Sequence, residues 1–281
     1  MKWILAFCLF VASTAAGAVV TRADIDQTKY LASAADYPAL ADMPDEGHGI
    51  LIAPRWVVTA AHAAPMQMQG METDVLVGGV ARRVKHVVIY PGYRKLPSEL
   101  IEEALASGDL SKLSAFLAAS NDIALVELAS PVTDVTPVSL YRGNKEVGMT
   151  AELVGKGATG DGDKGQVPNS AHRTVLRHAY NTIVGADDRY VWYRFDPPPS
   201  TLPLEGMTGS GDSGGPLFIR EGGSRQLIGL ASWGRYPHDH PFWKTWKPSL
   251  PFVEGLYGEI VYAVRISRYI PWMDSVMSAS P

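Results

Sequence analysis

A single cysteine, Cys8, stands in the 281 residues, so no disulfide can form within the chain and its stability has to come from packing. Cationic excess is missing too: 25 Lys and Arg face 29 Asp and Glu, giving a net charge of −4. No basic stripe runs along any segment, which excludes the electrostatic footprint of a nucleic-acid binder. Long apolar runs are also lacking. The run from Trp3 to Ala12 is too short to span a bilayer. With Lys2 before it and Ala16-Gly17-Ala18 after it, residues 1–18 read as a secretory signal peptide. Phe7 is too bulky to precede a lipidated Cys8. The expected mature chain is secreted or periplasmic, with no cysteine and no membrane anchor.

What the chain has in quantity is glycine and proline, 27 and 20, breaking up short β-like runs. These include Arg83 to Tyr90, Thr150 to Gly155, Arg173 to Val184, Arg189 to Phe195 and Gln226 to Ser232. Strands at this spacing predict an all-β sandwich or barrel. Helical periodicity occurs in one internal stretch near 97–119, where Ser98 and Asp109 are placed as N-caps on either side of Gly108, and predicts a helical hairpin in a surface loop. A second insertion, Arg235 to Gly258, is rich in aromatics: Tyr236, Phe242, Trp243, Trp246, Phe252 and Tyr257. His238 and His240 lack further metal ligands in register, and Gly165 stands where a calcium loop opened by Asp161-Gly162-Asp163 needs a third donor. Neither a metal nor another cofactor is expected.

Three stretches carry chemistry. Gly211-Asp212-Ser213-Gly214-Gly215-Pro216 sets a serine among small residues, where its hydroxyl can face a cleft and backbone N–H groups can meet an oxyanion. Alone it reads equally as a glycine-rich surface turn. It also satisfies the Gly-x-Ser-x-Gly elbow of an α/β-hydrolase esterase, but that elbow needs a strand before the serine and a helix after it. Here a glycine-rich stretch precedes Ser213 and an apolar strand, Pro216 to Arg220, follows. Upstream, Gly49 to His62 reads as strand, turn, strand, with the histidine just past the second strand. Asn121 to Leu128 is another strand, headed by Asp122.

Together these segments resemble the chymotrypsin-like (trypsin-like) serine peptidases, in the family order His62, Asp122, Ser213. The resemblance implies two antiparallel β-barrels, residues 19–135 and 136–281, with the site between them and a C-terminal helix near Arg265 to Met273. It implies a serine endopeptidase acting on peptides or proteins through an acyl-enzyme, with Ser213 as nucleophile, His62 as base, Asp122 orienting it, and the N–H groups of Gly211 and Ser213 as oxyanion hole. Ser232-Trp233-Gly234 resembles the segment that pairs with substrate backbone. Met207 falls at the floor of the specificity pocket, with Thr208, Ser210 and Gly234 lining it and Ile260 narrowing it, so that small or medium apolar side chains are expected. Cleavage after Ala18 exposes Val19, whose ammonium pairs with Asp212 in the family's mode of activation. Departures are Ala63 and Gly209 where cysteines are common, and Thr21 and Arg22 where the family has glycines. The alternative is a non-catalytic homologue that binds a protein partner through the same cleft.

Overall fold

A computed structural model describes residues 19–65, 73–173, 175–199 and 201–279; the expected signal peptide lies outside them. The strands close into two barrels. In the first, Leu40–Asp42, His48–Ala53, Trp56–Thr59, Ala124–Leu128, Val80–Ile89 and Asp74–Val77 follow one another around an antiparallel circuit. In the second, the circuit is Pro216–Glu221, Thr150–Gly155, Arg177–Ala186, Tyr190–Arg194, Ile260–Arg265 and Ser224–Arg235, the last pairing back on the first. The expected all-β, double-barrel architecture is therefore present. Period-two patterning builds these strands. Along Arg177–Ala186, for example, buried positions alternate with half-buried or exposed ones, Ile183 inside and Val184 outside.

Leu51, Val57, Val75 and Val126 fill the first barrel, and Leu153, Ile183, Phe195 and Leu217 the second. A third core lies between them. Ile50, Trp56 and Leu125 meet Val154, Phe218 and Leu230 there, and Ile266, Tyr269, Ile270 and Met273 of the C-terminal helix Ile266–Ala279 pack against both. Each side chain fully buried in this seam contributes roughly 1.5–3 kcal/mol. The helix starts just after Arg265, which still belongs to the strand.

The predicted helical hairpin comprises α1, Ser98–Ser107, and α2, Ser111–Ala118, with Gly108 left-handed between them at φ 73°. Its caps differ from the expected ones. Ser98 is already helical, and Pro97 holds the cap position without a side-chain bond. Leu110 is the N-cap of α2, while Asp109 serves that turn from one residue further out, accepting the Ser111 N–H at 2.9 Å. The aromatic insertion packs on itself: Phe242 lies 4.8 Å from Tyr236 and 5.1 Å from both Trp243 and Phe252, ring centre to centre. Trp246 closes on the hairpin tip, where a Cβ on Gly108 would stand 3.3 Å from its ring.

At the outer face of the second barrel, Glu152 is buried and accepts hydrogen bonds from Tyr37 at 2.7 Å and Arg225 at 2.8 Å. Burial opposes its charge, but His178, Arg225 and Tyr37 outweigh burial and hold the carboxyl far below its ordinary value. Its contribution is therefore fully present above about pH 4 and lost as the pH falls below that. Glu152→Gln is expected to lower the unfolding free energy by about 2–3 kcal/mol at neutral pH. In urea melts followed by tryptophan fluorescence, the gap to the parent protein should narrow on acidification; a gap independent of pH contradicts the assignment.

Candidate active site

Neighbouring strands of the first barrel deliver the first two groups. His62 sits in the single turn Ala61–Ala63 after Trp56–Thr59, and Asp122 just before Ala124–Leu128, where Thr59 pairs with Ala124. Asp122 is buried. Its Oδ1 accepts the His62 backbone N–H at 2.9 Å, while Oδ2 faces His62 Nδ1 at 2.7 Å and accepts the Ser232 hydroxyl at 2.6 Å. Burial disfavours the Asp122 charge, yet the His62 imidazole and these donors outweigh it and hold the carboxyl below its ordinary value. For His62, burial works against the charged ring, and the adjacent Asp122 carboxylate overcomes it to raise the imidazole. With Nδ1 committed to Asp122, Nε2 is the ring nitrogen left to take a proton.

Ser213 comes from the second barrel. The turn around it has left-handed glycines at Gly211, φ 88°, and Gly214, φ 72°. A Cβ on Gly214 would fall 2.3 Å from both the His48 carbonyl oxygen and Thr59 Oγ1. That approach stitches the turn to the first barrel, as does the bond from the His48 N–H to the Ser213 carbonyl at 2.7 Å. Ser213 and His62 line one cleft, which resembles neither side of an α/β-hydrolase elbow, since the chain after Ser213 enters an antiparallel strand rather than a helix. The N–H groups of Gly211 and Ser213 donate to no described residue.

Asp212 beside it is fully buried and accepts the N–H groups of Gly157 at 2.7 Å and Gly209 at 2.9 Å. The Val19 N–H also bonds it, and burial still raises its carboxyl above the ordinary value. The His48 ring stands 3.8 Å off. It is kept there by Asp42 on Nδ1 at 3.1 Å and by the Lys156 N–H on Nε2 at 3.2 Å. Val19 is buried at φ 65°, and Val20–Thr21 form a short strand between Gly160–Asp161 and Gly206–Met207. Neither Thr21 nor Arg22 has positive φ, so the glycines missing there are not needed.

A cavity of about 140 Å³ opens beside Ser213. Met207, Thr208, Ser210 and Gly234 line it, and so do Ser232 and Trp233 of the segment expected to pair with substrate backbone. Ile260 does not. Strand alternation turns Ile260 away and presents Glu259 and Val261 instead, with Glu254 at the rim bonded to the Ser210 hydroxyl at 2.7 Å. No local signal finds Glu259: the strand Ile260–Arg265 carries apolar residues on both faces, so period-two spacing groups Glu259 with Val261 without telling which face meets the cavity. Ser232 has a second task, holding Asp122, and Trp233 stacks on Tyr262 with ring centres 4.0 Å apart. On the far side of His62 lies a chamber of about 480 Å³, walled by Leu105 and Leu113 of the helical hairpin and by Phe252.

The "Trypsin" family model matches residues 30–243. Among curated proteins, the chain is 28% identical over 243 residues to "Thrombin-like enzyme CPI-enzyme 2" of Gloydius ussuriensis, covering 83% of this chain and 78% of that one. It is 28% identical over 199 residues to "Trypsin" of Simulium vittatum, covering 66% and 69%. Among solved structures it is similar to neuropsin, described as a serine protease expressed in the limbic system of mouse brain, with a TM-score of 0.62 and 20% identity over 88% of this chain and 98% of the other.

A ring titration by NMR checks the His62–Asp122 pairing. The His62 midpoint is expected above about 6.5 in the parent chain. In Asp122→Asn only burial remains, and the midpoint should drop below that value; an unchanged midpoint contradicts the pairing.

Proposed function

The chain belongs to the trypsin family of chymotrypsin-like serine proteases, and from that premise we propose that it is a serine endopeptidase working through Ser213, His62 and Asp122. The observation that carries this reading is the Asp122 carboxylate, which holds both Nδ1 and the backbone N–H of His62 while Ser213 faces the same cleft. His62 Nε2 removes the Ser213 proton as Oγ attacks the scissile carbonyl, and then protonates the leaving amine. Water attacks the acyl-enzyme by the same route in reverse. Asp122 stays ionised and stabilises the imidazolium. The unengaged N–H groups of Gly211 and Ser213 bind the oxyanion, each worth about 3–4 kcal/mol.

Activation is the second part of the proposal. With Ala18 attached, Val19 at φ 65° occupies a region that a β-branched residue avoids, because the preceding carbonyl crowds its Cβ. Cleavage after Ala18 removes that carbonyl and turns the Val19 N–H beside Asp212 into an ammonium. Asp212 has no Lys or Arg partner among the described residues, so the new cation fills a prepared place. Export through residues 1–18 supplies the cut. Among the described residues no helix is long and apolar enough to cross a membrane.

Substrate runs across the cleft with its acyl side over the 480 Å³ apolar chamber, which favours large apolar residues upstream of the scissile bond. At the residue directly before that bond, Met207 favours a small or medium apolar side chain.

Ser213→Ala is expected to reduce peptide hydrolysis by about a millionfold, and Asp122→Asn by about 10⁴, with thermal melts unchanged for Ser213→Ala. A fluorophosphonate should label the parent at Ser213. A Ser213→Ala protein of undiminished activity sinks the reading, and a folded parent that resists the label supports the binding-only homologue.

A further inference from the structure

Glu259, which lies beyond the residues matched by the family model, is 4% exposed and lines the cavity beside Ser213 together with Met207. Its Oε2 accepts the Gly255 N–H at 2.6 Å, and the Tyr236 hydroxyl, which donates its proton to the Val253 carbonyl at 2.8 Å, lies close by. Its Oε1 lies against Gly234, where an added Cβ would stand only 2.5 Å away. The glycine makes the room that the carboxyl occupies.

No cation is paired with Glu259 among the described residues. Arg194 and Arg235 are both in register with Ile260, on the other face of the strand, and are committed to Asp196 and to Tyr262 at 3.1 Å. From the loop before the strand, Glu254 adds a like charge. From the loop after Gly234, His240 spends Nε2 on the Tyr257 carbonyl at 2.6 Å. The Tyr193 hydroxyl, from the neighbouring strand, is engaged with Thr208 at 3.2 Å. Burial therefore dominates, and with Glu254 it outweighs the Gly255 N–H and the nearby Tyr236 hydroxyl, pushing the Glu259 carboxyl up to about 8.

Resting on the endopeptidase reading, we propose that Glu259 is the specificity-determining residue of this cavity and acts as a charge switch: protonated, it admits a neutral side chain before the scissile bond; ionised, it selects lysine. A slim alkyl stem passes Met207 and Val261, and an ammonium is a point charge that one free carboxylate oxygen can receive. A guanidinium needs a two-oxygen face, and Oε2 is already taken by Gly255. Below pH 8 a lysine side chain must expel the Glu259 proton to bind; above it, a neutral side chain must bury an unpaired carboxylate.

The test compares kcat/KM for two peptides that differ only in lysine or its neutral isostere norleucine before the scissile bond, from about pH 6 to pH 9.5. Titrations shared by both substrates, such as that of His62, cancel in the ratio. The lysine-to-norleucine ratio is expected to rise by up to about tenfold per pH unit across this range, below about 8 because lysine gains and above it because norleucine loses. In Glu259→Gln the ratio should become independent of pH and favour norleucine. A flat ratio in the parent overturns the switch whether or not the variant folds, and so does a Glu259→Gln protein that keeps the pH dependence. A parent that a fluorophosphonate labels at Ser213 but that cleaves neither peptide overturns it as well. Absence of both labelling and cleavage instead removes the endopeptidase reading beneath it.

Discussion

Asp212 is buried at the seam of the two barrels, and the turn that carries Ser213 hangs from its carboxylate. Both oxygens are occupied by N–H groups of the second barrel, from Gly157 and Gly209, and the Val19 N–H reaches it as well. A carboxylate in such a place costs several kcal/mol unless a cation or further donors meet it. In the proposed activation, its pairing is what holds residues 209–215 in one conformation. From the other side, the His48 N–H fixes the Ser213 carbonyl, and the space left by Gly214 lets the first barrel approach. Ser213 is thus referred to the same barrel that positions His62 and Asp122.

That seam also explains how a chain with one cysteine keeps its barrels in register. The apolar core between them draws on both, and the C-terminal helix packs Ile266, Tyr269 and Met273 into it. Nonpolar burial aligns the halves, and the polar stitch at His48 and Ser213 sets the fine position of the turn.

Much of this was legible in the sequence because it is local. The short β-like run Thr150 to Gly155 coincides with a strand of the second barrel, and the order of His62, Asp122 and Ser213 points to the fold. Gly108 between two periodic stretches marks the hairpin, although Ser98 and Asp109 each sit one place away from the cap positions assigned to them. What was not legible depends on register between distant strands. Whether Glu259 or Ile260 enters the cavity is decided by how their strand pairs with Gly234 and Arg235 across a bulge, which no local pattern reports. Ser232 reads as a backbone-pairing residue, and its bond to Asp122 appears only when position 232 is brought across to the first barrel. The aromatic insertion shows in sequence only its wealth of rings, and their packing on one another and on the hairpin tip emerges from the fold.

The rate of fluorophosphonate labelling of Ser213 in two purified forms, one beginning at Val19 and the other retaining Ala18, measures the coupling between Asp212 and the serine turn most directly. Loss of the buried pair, about 3–5 kcal/mol, predicts labelling at least about a hundredfold slower when Ala18 remains. Equal rates in the two forms would contradict the account.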